Sequence, residues 1–176
     1  LGYATMTSLS GEDAIKLLAR YFRSRQRNLQ LSWSIEGDAC VINLEELHPL
    51  GPVRAFMFEA LLIGIARGTA TLVGTHDLSG FELAFDWEEP AYHQAYRDRL
   101  PPTRFGQPRN ALRYPARFLQ MSPQLADAMA SQQAIERCEQ ELRACAAHSP
   151  VCPGPIPHNR LWRNNFTCPA AAWLAS

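Results

Sequence analysis

The chain has almost no lysine: of its seventeen basic residues, sixteen are arginine and one is Lys16. Seventeen acids balance them, so the formal net charge is zero. This argues against nucleic-acid binding through a generally basic surface. An apolar run of about 18 residues, enough to span a membrane, is also missing. The nearest run, residues 56–66, is interrupted by Glu59. We therefore predict a chain that does not span a membrane.

Several catalytic signatures are absent as well. The sequence has no Gly-x-Ser-x-Gly, no phosphate-binding glycine-rich loop and no His-Glu-x-x-His. Its histidines His48, His76 and His93 are scattered, which favours structural or exposed positions over catalytic ones. We predict no enzyme activity and no cofactor. The alternative, an enzyme with an unfamiliar constellation, would be revealed by turnover in a metabolite screen.

The five cysteines are an odd number, and the sequence shows no secretion signal. Both features favour a reduced, cytoplasmic protein. Cys40 lies in an apolar run typical of a buried strand. A zinc site can be drawn from the C-terminal ligands, but their spacing is not that of a structural finger, so we predict no metal. These ligands are Cys145, His148, Cys152, His158 and Cys168.

Charge is strongly polarised along the chain. Residues 36–89 hold ten acids and two arginines, whereas residues 97–117 hold six arginines and one acid, Asp98. Guanidinium groups bind carboxylates and phosphates through paired hydrogen bonds. We therefore predict a ligand-binding cluster of Arg104, Arg109 and Arg113, with Asn110 as a polar supplement. The competing interpretation is that these arginines form ion pairs with the acids of residues 86–89.

Hydrophobic spacing and turn residues predict an α+β domain, with a mainly antiparallel sheet packed against helices in the order α-β-β-α-β-α-β-β-α. Ser10 or Ser8 is the predicted N-cap of the first helix, and Gly68 is the predicted C-terminal cap of an apolar helix over 53–67. Ser122 and Pro123 are predicted to begin the last helix. The other predicted elements are a hairpin over 29–44, a strand over 78–87, a short helix over 90–100, and strands at 104–105 and 111–114 joined by a Gly-Gln-Pro turn.

The composition changes after residue 145. Residues 146–176 contain no acids and five prolines, and they show neither helical nor strand periodicity. We expect a single domain over 1–145 followed by an irregular, proline-rich tail. Because the tail lacks two amphipathic helices joined by a short turn, we expect no helix-turn-helix and no specific DNA binding by this chain alone.

One ordered set of segments resembles a known family. The set consists of Leu1-Gly-Tyr-Ala4, Leu17-Leu-Ala-Arg-Tyr21, Pro90-Ala-Tyr92 with Tyr96, Arg104-Phe-Gly-Gln-Pro-Arg-Asn-Ala-Leu112 and Glu136-Arg-Cys-Glu-Gln-Glu141. Over residues 1–145 it is similar to the arabinose-binding-type N-terminal domain of AraC-family transcriptional regulators. The subgroup it resembles most includes ornithine-utilisation regulators. That domain usually has helical sequence before the Leu-Gly-Tyr segment, so the resemblance implies a domain that is incomplete at its N-terminus.

The resemblance implies a domain that senses a small-molecule effector and forms a homodimer. It also implies that DNA is bound only through a C-terminal domain that this chain lacks. From the arginine cluster we expect the effector to be a small anionic metabolite. Two alternatives stay open. Arg109-x-x-x-Arg113 has the spacing of a PilZ-type cyclic di-GMP motif, although the second half of that motif is absent; and the domain could be an oligomerisation module without a ligand.

Overall fold

The computed structural model describes the backbone of residues 1–148 and the side chains of residues 1–143. The described side chains do not include those of the predicted tail or of the residues considered for a zinc site. Among the described side chains, no group of three or more His, Cys, Asp or Glu could hold a metal ion. The fold described below is that of the predicted domain.

Four α-helices and five strands make up the described part of the chain. The helices are α1 (Gly2–Met6), α2 (Gly11–Arg25), α3 (Arg54–Leu72) and α4 (Ala128–His148). The strands are β1 (Leu29–Glu36), β2 (Ala39–Glu46), β3 (Glu82–Ala84), β4 (Thr103–Arg104) and β5 (Asn110–Pro115). Short 3-10 helices lie at Gly51–Val53, Ala91–Ala95, Arg97–Arg99 and Ala116–Gln120. The predicted α+β class is confirmed.

The five strands form one sheet in the order β1-β2-β5-β3-β4, and all neighbours are antiparallel except β3 and β4. The predicted β1–β2 hairpin is confirmed. Its turn contains Gly37, whose φ of 65° lies in the left-handed region that glycine adopts without strain. The sheet therefore has the mainly antiparallel character that the sequence predicts.

The two strands around the Gly-Gln-Pro turn do not pair with each other. Strand β4 pairs in parallel with β3, whereas β5 pairs with both β2 and β3. The connecting residues pass the end of β3, where the Gly106 and Gln107 amides donate to the carbonyls of Trp87 and Phe85. Both predicted strands are present, and β3 lies between them in the sheet.

Helix α3 packs against one face of the sheet. Its buried residues Phe58, Leu62, Ala66 and Ala70 recur every four positions and contact the inward side chains of the strands. The expectation that no apolar run is long enough to span a membrane was wrong, because the 22-residue segment Gly51–Leu72 is long and apolar enough by length and composition alone. Since one face of α3 lies in the main core, we interpret it as the central helix of this domain.

Two helix boundaries differ from those predicted. Helix α3 continues past Gly68 to Leu72, because Ala70 and Leu72 are buried. Helix α4 begins at Ala128 rather than near Ser122, and its first turn is capped by Asp127, which accepts from the Ala130 amide at 2.9 Å.

The residues between Ser122 and α4 are held by tertiary hydrogen bonds. The Gln124 amide donates to the Leu72 carbonyl, and the Asp127 amide donates to the Thr7 carbonyl. These bonds oppose helix formation at Ser122. The predicted cap at Ser10 is confirmed, since its hydroxyl accepts from the Asp13 amide at 3.1 Å.

Two further elements are shorter than predicted. The strand expected over 78–87 is reduced to β3, although Phe81, Leu83 and Phe85 all face the core, as their alternation predicts. The helix expected over 90–100 consists of two 3-10 segments. The helix α1 was not anticipated, because five residues are too few to show a period.

Candidate functional site

The predicted ligand-binding arginines lie on the side of the sheet opposite the core. On β5, Leu112 and Tyr114 are buried against α3 and its neighbours, whereas the side chain of Arg113 between them is 44% exposed. This alternation follows from the two-residue period of a strand. The outer sheet face is therefore where the arginine cluster meets solvent.

Each of the three arginines has an acidic partner on this outer face. Arg109 forms two hydrogen bonds with Glu36, at 3.0 and 2.9 Å, and these hold the pKa of the Glu36 carboxyl below its usual value. Arg104 lies 3.1 Å from Glu82. The closest atoms of Arg113 and the fully exposed Asp38 are 3.9 Å apart, so this pair is the loosest. An anion binding here would compete with these carboxylates.

Asn110 has a different environment from the arginines. Its side chain is buried, accepts from the Asp86 amide at 3.1 Å and donates to the Asp86 carboxylate at 3.0 Å. It thereby ties β5 to the end of β3. Asn110 is therefore directed away from the arginines. Arg109 and, more weakly, Arg113 both lower the pKa of Glu36, and Arg113 lies opposite Glu82, the partner of Arg104, so the three arginines are neighbours on one face.

Asp86 also pairs with an arginine outside the predicted cluster. The Arg54 guanidinium donates to both Asp86 oxygens, at 2.9 and 2.7 Å, and lies over the rings of Phe58 and Trp87. Arg54, followed by the Asn110 amide, lowers the pKa of the Asp86 carboxyl. Asp86 and Glu89 therefore pair with residues other than the three predicted arginines. Glu89 contacts His93 at 2.8 Å and Arg97 at 3.7 Å.

The inner side of the domain has an apolar cavity of about 370 Å³ that is half open to solvent. It lies between α1 and α2 on one side and α3 on the other, and is closed at one end by β5 and the following 3-10 helix. Its size falls in the range of small-molecule sites, about 300–1,000 Å³. The lining residues are Gly2, Thr5, Met6, Gly11, Ala14, Ile15, Leu18, Ala60, Leu61, Gly64, Ile65, Gly68, Thr69, Leu72, Val73, Tyr114, Phe118 and Leu119.

Small residues on α3 leave this space open. Ala60, Gly64 and Gly68 recur every four residues and line the cavity. Gly64 is exposed and Gly68 is half-buried, and a Cβ atom at either position would meet no atom within 4 Å apart from those of its own stretch of helix. Close packing with α2 is therefore not the reason for these two glycines, although each weakens the helix relative to alanine.

The opposite situation holds at Gly11, where α2 begins. A Cβ atom there would lie 2.3 Å from the Phe118 carbonyl oxygen, and the Gly11 amide donates to the Met121 carbonyl at 2.9 Å. The N-terminus of α2 is thus held tightly against the 3-10 helix. Close approach at this end and missing side chains on α3 together determine the shape of the cavity.

Few polar groups face the cavity. The Thr5 hydroxyl donates to the Gly2 carbonyl within its own turn. The ring of Tyr114 is packed against Phe81 and Phe118, and burial, with a smaller effect of Cys40, raises the pKa of its hydroxyl well above the usual value. The lining therefore offers apolar contact area and few hydrogen bonds.

A second depression is open and polar. It lies between the end of α3 and the segment 97–102, and is lined by Arg67, His76, Asp77 and Arg97 among others. Arg67 donates to the Arg99 carbonyl at 2.8 Å, while Asp77 accepts from the Ser79 amide and hydroxyl. Since Arg67 and Asp77 are occupied by local hydrogen bonds, the apolar cavity is the better candidate site.

Comparison with protein families agrees with the fold. Residues 1–123 match the model of the arabinose-binding domain of AraC transcription regulators, at the N-terminus of those proteins. The chain belongs to this family. The predicted resemblance is confirmed, and the chain is a ligand-binding N-terminal domain of the AraC type. A search of curated proteins found no match.

A solved structure supports the fold of this AraC-type domain. The crystal structure of the transcriptional regulator CdpR from Pseudomonas aeruginosa superposes with a TM-score of 0.60 at 14% identity. The match covers 80% of this chain and 48% of CdpR, so this chain spans about half the length of that relative. At this identity the likeness shows a common fold.

In this AraC-type domain, α4 packs on the two helices that line the cavity. Ala4 of α1, Tyr21 of α2 and Cys138 of α4 form a small buried cluster. The Tyr21 hydroxyl donates to Glu139, and Arg20 lies 2.6 Å from the same carboxylate. Helix α4 is thus in contact with the cavity wall formed by α1 and α2.

The residues that form the cavity of the AraC-type domain were not singled out by their chemistry. The charged cluster was conspicuous in the sequence, whereas Gly64 and Gly68 looked like a helix interior and its cap. A signal was present, because Ala60, Gly64 and Gly68 follow helical spacing within an apolar segment. Such a pattern indicates one helix face without side chains, but it does not reveal whether another helix fills the space.

Proposed function

We propose that residues 1–145 form the effector-sensing and dimerisation domain of an AraC-type transcriptional regulator, with the effector held in the cavity between α1–α2 and α3. The observation that carries the proposal is this half-open apolar cavity, in a chain whose family is ligand-binding. No catalytic step is assigned to it. We further propose a cytoplasmic homodimer that acts on DNA through a domain outside this chain.

The proposed mechanism is a shift between two arrangements of the helices. A ligand that contacts both cavity walls favours one position of α1 and α2 relative to α3. Because Ala4 and Tyr21 pack on Cys138, movement of α1 and α2 changes the position of α4. Helix α4 would pass this change to the regions that follow it in a full-length regulator, so that effector and DNA binding become coupled.

A second candidate is an anionic effector on the outer sheet face. It is favoured by Arg113, whose 3.9 Å contact with the fully exposed Asp38 leaves its guanidinium accessible. A small anionic metabolite or cyclic di-GMP would displace Asp38 from Arg113 and Glu36 from Arg109. The two candidate sites lie on opposite sides of the sheet, so variants can separate them.

A thermal-shift screen of this chain tests the proposal. The library should contain neutral aromatic and aliphatic compounds, anionic metabolites, cyclic dinucleotides and basic amino acids. A ligand at about 100 times its dissociation constant stabilises a protein by about 2.7 kcal/mol. A hit whose shift is lost in Gly64→Leu but kept in Arg113→Ala supports the cavity, and the reverse supports the outer face. The absence of any hit would favour an oligomerisation module without a ligand.

A further inference from the structure

We infer that the cavity takes an uncharged, mainly apolar ligand, and that Gly64 and Gly68 set the size of that ligand. The inference rests on the proposed sensing function and adds the chemical class of the effector. It departs from the anionic effector expected from the arginine-rich sequence. Three observations carry it: the absence of charge in the lining, the small number of hydroxyl groups and the open positions on α3.

The lining of the cavity contains no Lys, Arg, His, Asp or Glu among the described side chains. A charged ligand that left water for this space would find no opposite charge, and burying an unpaired charge is very unfavourable. A carboxylate, phosphate or ammonium group would therefore gain nothing from contact with this lining, and an uncharged apolar ligand fits it better. The basic and acidic residues of α3 and α2 lie on other faces of these helices.

A polyol such as a sugar is disfavoured for a related reason. Each of its hydroxyl groups would need a hydrogen-bond partner once it was removed from water. The lining offers the hydroxyls of Thr5, Thr69 and Tyr114, and Thr5 already donates to Gly2. These suffice for one polar group at the edge of a ligand. The rest of its surface must be hydrocarbon or an aromatic ring.

The absence of side chains at Gly64 and Gly68 leaves the space in which this ligand would bind. Both lie on the cavity face of α3, and the space where their side chains would be is empty to at least 4 Å. Ala60, one turn earlier, extends the same shallow channel along the helix. Larger residues at these positions would occupy the volume that the ligand needs, without contacting the protein backbone.

The test uses the 176-residue chain and the neutral fluorescent probe N-phenyl-1-naphthylamine. We expect Gly64→Leu and Gly68→Leu each to weaken probe binding about tenfold or more, because leucine fills the cavity. Thr71→Leu is the matched control: it adds the same side chain to α3 at an exposed position outside the lining, and should change affinity less than about twofold. Gly64→Ala should be intermediate, because it adds one methyl group to the cavity and keeps the helix.

A charged probe of similar shape, 1-anilinonaphthalene-8-sulfonate, distinguishes the cavity from exposed apolar surface. Its binding should be unaffected by the two leucine variants. Thermal unfolding of each variant confirms that it is folded, and the leucine variants should unfold at or above the wild-type temperature. If either leucine variant is unfolded, loss of affinity in Gly64→Ala is the deciding result.

The inference is overturned if the neutral probe does not bind the wild-type chain, or binds both leucine variants as tightly. The latter result would place the probe on another apolar surface, such as that around the exposed Phe56. The proposed sensing function would survive either result if the screen finds an anionic effector whose affinity depends on Arg113. The two conclusions can therefore fail separately.

Discussion

The two sides of the sheet differ in their side chains and in the space that these leave. On the outer face, Arg104, Arg109 and Arg113 are matched with Glu82, Glu36 and Asp38. On the inner side, apolar helices border a half-open cavity in which the positions of Gly64 and Gly68 carry no side chain. The conspicuous charges are largely satisfied within the protein, whereas the space for a ligand lies among residues with little chemistry of their own.

The largest difference in the loss of folding stability is expected between alanine variants of two neighbouring residues on β5. Leu112→Ala should destabilise the fold by about 2–5 kcal/mol, because Leu112 is fully buried in the main core. Arg113→Ala, one residue further on the outer face, should cost less than about 1 kcal/mol. Urea denaturation of both variants measures the difference. Equal losses would contradict the division of the sheet into a packed face and a solvated face.

A smaller effect is expected where the two sides meet, at Asp86. Asp86→Asn should reduce stability by about 1.5–3 kcal/mol at pH 7, because it weakens the charge-assisted bonds with Arg54 and Asn110. Since the folded-state pKa of Asp86 is lowered, its contribution is full above the unfolded value of about 3.9. That contribution is lost as the pH falls through the folded-state pKa.

The measurement for Asp86 is the stability difference between wild type and Asp86→Asn as a function of pH. The difference should be constant from pH 7 to about pH 5 and shrink below about pH 4. A difference that stayed constant to pH 2 would mean that the charge on Asp86 does not stabilise the fold.

A pair of glycines tests the interpretation of the cavity. Gly11→Ala should destabilise by about 1–3 kcal/mol, because its Cβ would collide with the Phe118 carbonyl. Gly64→Ala should instead stabilise by about 0.5–1 kcal/mol, because alanine favours a helix and the position is open. Thermal unfolding of the two variants decides. Destabilisation by Gly64→Ala would show that the cavity is closed in solution.

A small stability effect is expected at Arg109, whose guanidinium forms two hydrogen bonds with Glu36 on the outer face. Arg109→Ala should cost about 0.2–1 kcal/mol, because both Arg109 and Glu36 are exposed. Arg109→Ala and Arg113→Ala together also test the predicted anion site. If both leave the affinity of an anionic effector unchanged in isothermal titration, the outer-face cluster is not its binding site.

Local features of the fold were predictable because their causes are local. The Ser10 cap, the Gly37 turn and the alternation of Phe81, Leu83 and Phe85 depend on neighbouring residues, and all are confirmed. The start of α4 was not predictable in this way. Residues before it are held by hydrogen bonds to Leu72 and Thr7, which are distant in sequence.

The ion-pair partners of the charged residues also could not be predicted from the sequence. An arginine in a sequence can form an ion pair with any acid that the fold brings close to it. Here the order of the strands decides which acid that is. Because β2 lies between β1 and β5, Arg109 reaches across it to Glu36, 73 residues earlier. Asp86, expected near the arginine cluster, instead binds Arg54 on α3.

The sequence by itself determined the family, the α+β class and the division into apolar and charged segments, because these depend on residue type and local spacing. The tertiary structure decided the pairing of β4 with β3, the partners of the arginines and the existence of the cavity. A glycine in a helical segment of the sequence indicates only that a side chain is missing at that position. Whether the space is filled by a neighbour or left for a ligand depends on how the helices pack around it.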